Sequence, residues 1–298
     1  MKIRHLHHNQ INPSEWDRSI LNSRVPLVYG LYDYLDALCN KNWSALVFGE
    51  YEAVFPLPHK TKLGITYIVQ PVFCQQLGAF GSNRRITSLD FLRAIPKKFI
   101  RVRLQLNPYF DNQQNASLTT KTNFLLPLSE PPTYNKDCRK NLATLSKLPI
   151  EYHRNAITFK EVIDVYREAW GETNPNIGDS AYEKFEDACK RVQSKHQCAF
   201  TLAATNTETS SLLGASILLG FPSLTNDQEK HLHYVCAGPT KAGKTLGIMH
   251  GIIDAAIQGH LGATAYFDFE GSSIPSVATF YQKFGPKNTP YYLFQRGI

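Results

Sequence analysis

Two adjacent prolines, Pro131 and Pro132, sit in the segment SEPPT at 129–133, directly after a strand-like apolar run and close to the middle of the chain. Neither can donate a ladder hydrogen bond or continue a helix, so regular structure has to stop there. The 298 residues are enough for two domains of about 150 each. The expected division is therefore 1–131 and 132–298.

The first part opens with expected helices over 14–21 and 31–39 and then turns strand-rich. The apolar runs 43–48 and 52–57, joined across Gly49, Glu50 and Tyr51, read as a hairpin. Further strands are expected at 65–71 and 99–106, and in the second of these Arg101, Arg103 and Gln105 alternate with Val102, Leu104 and Leu106 as a half-buried strand requires. A polar loop over 107–120 leads to a last strand at 123–128.

Beyond the prolines, a helix over 135–148 carrying Lys136, Arg139, Lys140 and Lys147 leads into a strand at 150–153. Thr158 with Glu161 three residues on spells a capping box, and Val162, Val165, Tyr166 and Ala169 supply that helix's apolar stripe. A second helix (180–195) and three strands (199–204, 212–219 and 231–237) follow, with a polar loop at 222–230 before the third strand. The chain closes with a helix (245–258), a strand (263–269), a helix (274–284) and a strand (291–295).

Composition narrows the function classes. With 43% hydrophobic and 19% charged residues the chain is globular. Its longest apolar run, 212–221, is interrupted by Gly214, Ser216 and Gly220 and stops at Pro222, short of the roughly 18 residues a membrane span needs. No transmembrane segment is expected. The N-terminal MKIRHLHHNQINPSEW lacks the apolar centre of a secretory signal and the six cysteines are scattered, so the expected location is the reducing cytoplasm. Thirty-two basic against 25 acidic residues leave +7 and a pI near 9.0, which favours anionic partners. The positive charge forms no run of five or six like residues, so RNA is expected only as part of a larger substrate.

Three constellations carry chemistry. The string Gly238-Pro239-Thr240-Lys241-Ala242-Gly243-Lys244-Thr245 fits G-x-x-x-x-G-K-[ST] between an expected strand and an expected helix. Backbone amides at such a turn, with a lysine beside them, bind phosphate oxygens. Gly238, Lys241, Gly243, Lys244 and Thr245 are accordingly candidate cofactor-binding residues. A P-loop would normally follow the first strand of a parallel sheet, whereas here only two strands remain, so nucleotide binding is the alternative, alongside a purely structural turn. Asp268 and Glu270, two residues apart at the end of a strand, are expected on one face, where a carboxylate could act as general base toward an amine. Acyl transfer to an amine needs one such proton acceptor and a stabilised oxyanion. His231 and His233 share a strand face with no cysteine or acid at ligand spacing, so no metal is expected, and His233 is a candidate substrate contact. No G-x-S-x-G nucleophile elbow exists.

The order strand, two helices, three strands, helix, strand, helix, strand after residue 132 resembles the GNAT acyltransferase fold. In the tail, Phe280-Tyr281-Gln282-Lys283-Phe284-Gly285 follows Tyr266-Phe267-Asp268-Phe269-Glu270-Gly271. Tyr281 and Lys283 fit the Tyr-x-Lys-x-Gly-Phe helix end of GNAT enzymes. Phe280, Phe284 and Gly285 fit the Phe-Lys-x-x-Phe-Gly pattern of the FemABX peptidyltransferases, tandem GNAT-fold proteins that use aminoacyl-tRNA, with Tyr281 in the lysine's place. WSALVFGEYEAVFPLP and YIVQPVFCQQLGAF resemble strands of the first FemABX repeat.

This resemblance implies an α/β (α+β) chain of two GNAT-like domains in tandem, the first degenerate, each a mixed, mostly antiparallel sheet flanked by helices. It implies an N-acyltransferase or aminoacyltransferase with no tightly bound cofactor. The activated acyl group would pass from acyl-CoA or aminoacyl-tRNA to an amine-bearing small molecule or peptide, with tRNA a candidate partner. Tyr281 would protonate the leaving group, Lys283 would contact substrate, and the 238–245 segment occupies the slot of the GNAT coenzyme A loop [RQ]-x-x-G-x-[GA]. Thr240 and Thr245 depart from that loop and Tyr281 from the FemABX pattern, so a non-catalytic GNAT-fold binding protein is a further alternative.

Overall fold

The computed structural model describes residues 2–82, 85–107, 118–173, 177–222, 228–263, 265–271 and 274–297. The expected polar loops at 107–120 and 222–230, together with Ser272 and Ser273 at an expected helix start, lie wholly or largely outside the described residues. The chain forms two units. The first takes the residues up to Thr122, Gln228 and Glu229, and those from Pro290 on, and the second takes 123–222 and 230–289. The division falls ahead of the proline pair.

The first unit contains β1 (Ile3–Leu6), α1 (Pro13–Leu21), α2 (Tyr32–Cys39), β2 (Trp43–Phe48), β3 (Ala53–Lys62), β4 (Ile65–Val69), β5 (Phe80–Gly81), α3 (Ser88–Ala94), β6 (Val102–Leu106) and β7 (Leu118–Lys121). The C-terminal strand β15 (Tyr291–Arg296) joins it. The sheet order is β1-β2-β3-β4-β6-β15-β7, with β5 on β3. The neighbours are antiparallel except for β4 and β6. Pro56 and Pro58 fall in the stretch of β3 between its β5-paired and β4-paired segments, where a missing N–H costs the ladder least. Phe55, Leu57, Phe91, Phe99, Leu104 and Phe294 meet in the core.

The second unit contains β8 (Phe124–Pro127), α4 (Lys136–Leu145), β9 (Ile150–Arg154), α5 (Phe159–Trp170), α6 (Asp179–His196), β10 (Ala199–Asn206), β11 (Leu212–Leu219), β12 (Lys230–Pro239), α7 (Lys241–Leu246), α8 (Met249–Gln258), β13 (Ala265–Asp268), α9 (Pro275–Gln282) and β14 (Lys287–Asn288). Its sheet runs β14-β8-β13-β12-β11-β10-β9. Among the described residues of this unit, β12 and β13 form the one parallel pair. Ile252, Ile253, Ala256 and Ile257 of α8 pack with Phe267, Phe269 and Phe284 in the core. Both units are mixed sheets flanked by helices, as expected.

Three local expectations change. β8, read from sequence as the last strand of the first part, pairs instead with β13 and β14, because Leu125, Leu126 and Pro127 register against Asp268, Phe267 and Tyr266. β15 returns to the first unit, pairing with β6 and β7. The single helix expected over 245–258 is two, since Gly247 adopts φ +69° and caps α7 before α8 begins. The six cysteines are all free. No described helix is long and apolar enough to cross a membrane.

The capping box at α5 forms as its spelling dictates. Thr158 Oγ1 accepts from the Glu161 amide at 3.2 Å, and the Thr158 amide donates to Glu161 Oε2 at 2.7 Å. Thr158→Ala should therefore lower unfolding stability by about 1 kcal/mol, measured by urea denaturation, with little change in the midpoint slope.

Candidate active site

β12 alternates as a strand must, with Leu232 and Tyr234 entering the core beside Phe267 while His231 and His233 take the opposite face. The parallel register sets His231 against Tyr266 and His233 against Asp268. That second pair is the last rung. β12 continues to Pro239, whereas β13 ends at Asp268, so the two strands part there.

Asp268 closes the ladder as a fully buried acid, 0% exposed. Nδ1 of His231 lies 3.3 Å and Nδ1 of His233 3.2 Å from its Oδ2, and its Oδ1 accepts the Glu270 amide at 2.8 Å. Burial by itself would raise this carboxyl's pKa. The hydrogen bonds from the two histidines outweigh it and hold the group well below the usual carboxylate range. Burial also lowers the pKa of His233, against the attraction of Asp268.

Glu270 stands just past the strand with φ +61°, a left-handed conformation that costs a non-glycine residue about 1–2 kcal/mol. The two-residue repeat therefore does not place Asp268 and Glu270 on one strand face. They meet instead through the turn, by the Glu270 amide. The Glu270 carboxyl is largely buried, with Oε1 3.8 Å from His233 Nδ1. Burial pushes its pKa up to about 8.

Tyr281, on α9, packs its ring 5.1 Å from Phe269 and 6.3 Å edge-on from Tyr234. Burial first, then the nearby Glu270 carboxylate, raises its hydroxyl above the ordinary tyrosine value. A carboxyl that can take a proton thus neighbours a hydroxyl that keeps its own. Tyr281, Glu270, Asp268 and His233 come together in this one region of the second unit. His231 is the member that sequence reasoning did not assign, because only the register of β12 on β13 puts it beside Asp268.

The 238–245 string is built differently from a phosphate loop. Gly238 lies inside β12, and a Cβ there would stand 3.1 Å from Tyr166 Cα and 3.2 Å from Ala169 Cβ of α5. Gly243 is buried in α7, where a Cβ would fall 1.8 Å from the Leu213 carbonyl oxygen. Its amide donates to Thr240 Oγ1, the cap of that helix. Both glycines allow close packing of helix on sheet. Thr245 Oγ1 donates back to the Lys241 carbonyl. Lys241 is 94% exposed, and Lys244 lies over the Trp170 ring at 5.6 Å. The surrounding sheet is not that of a P-loop domain, since this segment follows β12 rather than the first strand of a parallel sheet. Lys283 is also placed elsewhere, with its ammonium paired to Asp137 in the first turn of α4.

The spacing argument against a metal changes as well. β13 supplies the acid that the local sequence lacks, and the donor atoms of His231, His233 and Asp268 lie within 4.8 Å of one another. These three side chains could hold a divalent cation.

This architecture is shared with solved structures. FemX superposes with a TM-score of 0.63 at 11% identity, covering 99% of this chain and 98% of that one. A conserved protein of unknown function from Bacteroides thetaiotaomicron VPI-5482 gives 0.61 at 10% identity, with 99% and 100% covered. The C-terminal domain of a protein described as a lysylphosphatidylglycerol synthetase, from Agrobacterium fabrum, gives 0.57 at 12% identity, with 96% and 92% covered. No family profile and no curated relative matches the chain. The chain has a tandem GNAT-like fold resembling that of the FemABX proteins.

Two outcomes follow from this geometry. Because the folded pKa of Glu270 is raised, its contribution to stability is full below the unfolded carboxyl value and is lost as pH rises through about 8. The melting temperature of Glu270→Gln should therefore fall less than that of the wild type between about pH 5 and pH 8, as differential scanning fluorimetry across a buffer series would show. Gly243→Ala should destabilise the fold by about 1–3 kcal/mol through backbone overpacking, whereas Lys244→Ala should leave the melting temperature unchanged.

Proposed function

We propose that the chain is an acyltransferase that moves an activated acyl group to an amine, with Glu270 as general base and Tyr281 as general acid. The observation that carries this reading is Glu270 itself. It is a largely buried carboxyl in a left-handed backbone position at the parting of β12 and β13, with a pKa near 8 and a raised-pKa tyrosine beside it. Such a pair suits a reaction that removes one proton and delivers another.

The proposed sequence is direct. Ionised Glu270 takes a proton from the acceptor ammonium, freeing the nitrogen lone pair. The amine attacks the acyl carbonyl, the nitrogen of the tetrahedral intermediate releases its second proton to solvent, and the intermediate collapses to the amide by breaking the bond to the leaving oxygen or sulfur. Tyr281 donates its hydroxyl proton to that leaving group and regains a proton from solvent or from Glu270. Asp268, His231 and His233 act as positioning residues: Asp268 holds the Glu270 amide, and the histidines keep Asp268 ionised. Lys241 and Lys244, in α7 just past the end of β12, offer positive charge to the phosphates of an acyl-CoA or to an aminoacyl-tRNA backbone. Amine-bearing small molecules and peptides are the proposed acceptors, and the reducing cytoplasm is the proposed location.

A thermal-shift panel of coenzyme A, acetyl-CoA, aminoacyl-tRNA and ATP with magnesium identifies the donor, since a ligand at 100 times its Kd adds about 2.7 kcal/mol to stability. Stabilisation by ATP with magnesium alone would overturn the reading. With a donor in hand, Tyr281→Phe should lower kcat by roughly 10² to 10⁴ with donor affinity nearly intact. Equal turnover would remove the tyrosine from the mechanism.

A further inference from the structure

The hairpin between β3 and β4 turns through two residues, Leu63 and Gly64, with φ +50° and +75°. A two-residue turn with positive φ at both positions selects Asn, Asp or Gly at the first. A leucine there is strained by its backbone, and its side chain is 92% exposed, so neither local conformation nor folding accounts for it. Ile65, 48% exposed, and Ile100, 54% exposed, stand close by, both lining a pocket of about 460 Å³ that also reaches Gly64. Three large apolar side chains thus gather on one surface of the first unit.

The permanent charge in that pocket's lining is the Lys98 ammonium, and burial lowers the pKa of His59 beside it. His7, His59 and Lys98 face it, with the hydroxyls of Ser44, Thr61 and Thr66. His5 adjoins it, its Nε2 3.0 Å from Ser44 Oγ. Burial, Lys98 and the neighbouring histidines together lower the pKa of His5 to about 4. Lys60 and Lys62 alternate with His59 and Thr61 along β3 and so place positive charge on the other face of the same hairpin, and Lys97 precedes Lys98 in sequence. Among the described residues none of these four lysines makes an ion pair.

We propose that this face docks the protein on an anionic lipid surface. Leu63, Ile65 and Ile100 would enter the acyl boundary, the lysines would meet the negative surface, and the pocket would hold one phosphate headgroup. Charge complementarity argues for lipid over a neutral apolar partner, and the strained leucine at the tip marks the point of insertion. The proposal is independent of the acyl-transfer reading, because it uses no residue of that site.

The test is co-sedimentation of the full chain with vesicles of phosphatidylcholine alone and with about one third phosphatidylglycerol, where binding to the anionic vesicles should be about tenfold higher and should fall with added salt. Leu63→Asn suits the turn better than leucine, so it should keep or raise the melting temperature while cutting vesicle binding severalfold. Lys98→Gln should weaken binding to anionic vesicles only. Equal binding to both vesicles, binding to neither, or unchanged binding of Leu63→Asn would overturn the proposal. So would saturable binding of inorganic phosphate by a protein that ignores vesicles, which would assign the pocket to a free anion.

Discussion

The hydrogen-bonded pairing of β12 with β13 stops at one rung, and the candidate site of the second unit depends on where it stops. Up to His233 and Asp268 the two strands share a ladder, and beyond it β12 runs on while the other chain turns away. A fully buried carboxylate at such a point costs several kcal/mol unless its charge is met by hydrogen bonds. Two imidazoles from the adjacent strand and the Glu270 amide supply them. With both Asp268 oxygens engaged, the turn after β13 is held in shape, and Glu270 is fixed in a backbone conformation it would not choose by itself.

Much of the fold was legible because it rests on local rules. The apolar runs of β2 and β11, the two-residue alternation of β6, the Thr158 capping box and the helix stripes all depend on neighbours in sequence, and each element forms within a few residues of its expected span. What failed is pairing across long distances. Nothing near Phe124–Pro127 says that its partner is β13, and nothing in Tyr291–Arg296 says that it closes the first sheet. Apolar alternation states that a segment is a strand and is silent on which sheet receives it.

The candidate site shows the same limit more sharply. Residue type and position point to Asp268, Glu270 and His233, and the GNAT resemblance points to Tyr281, whereas nothing in the sequence assigns His231 or a metal, because the acid lies on another strand. The phosphate-loop string carries a second physical reading. Its glycines match the motif letter by letter, yet Gly238 yields space to α5 and Gly243 to the Leu213 carbonyl. A glycine pattern records that a Cβ is forbidden, and packing of helix on sheet forbids it as firmly as a ligand does.

Positive φ at non-glycine positions sorts these cases. Asn40 and Gln197 end helices, a role in which a left-handed residue satisfies orphan carbonyls. Glu270 and Leu63 end none. Each could be replaced by glycine or asparagine with less strain, so local folding does not select the side chain that is present. At Glu270 that side chain is a carboxyl driven into a dry environment, and at Leu63 it is an aliphatic group driven into water. Both side chains stand against their solvation preference at a left-handed backbone position.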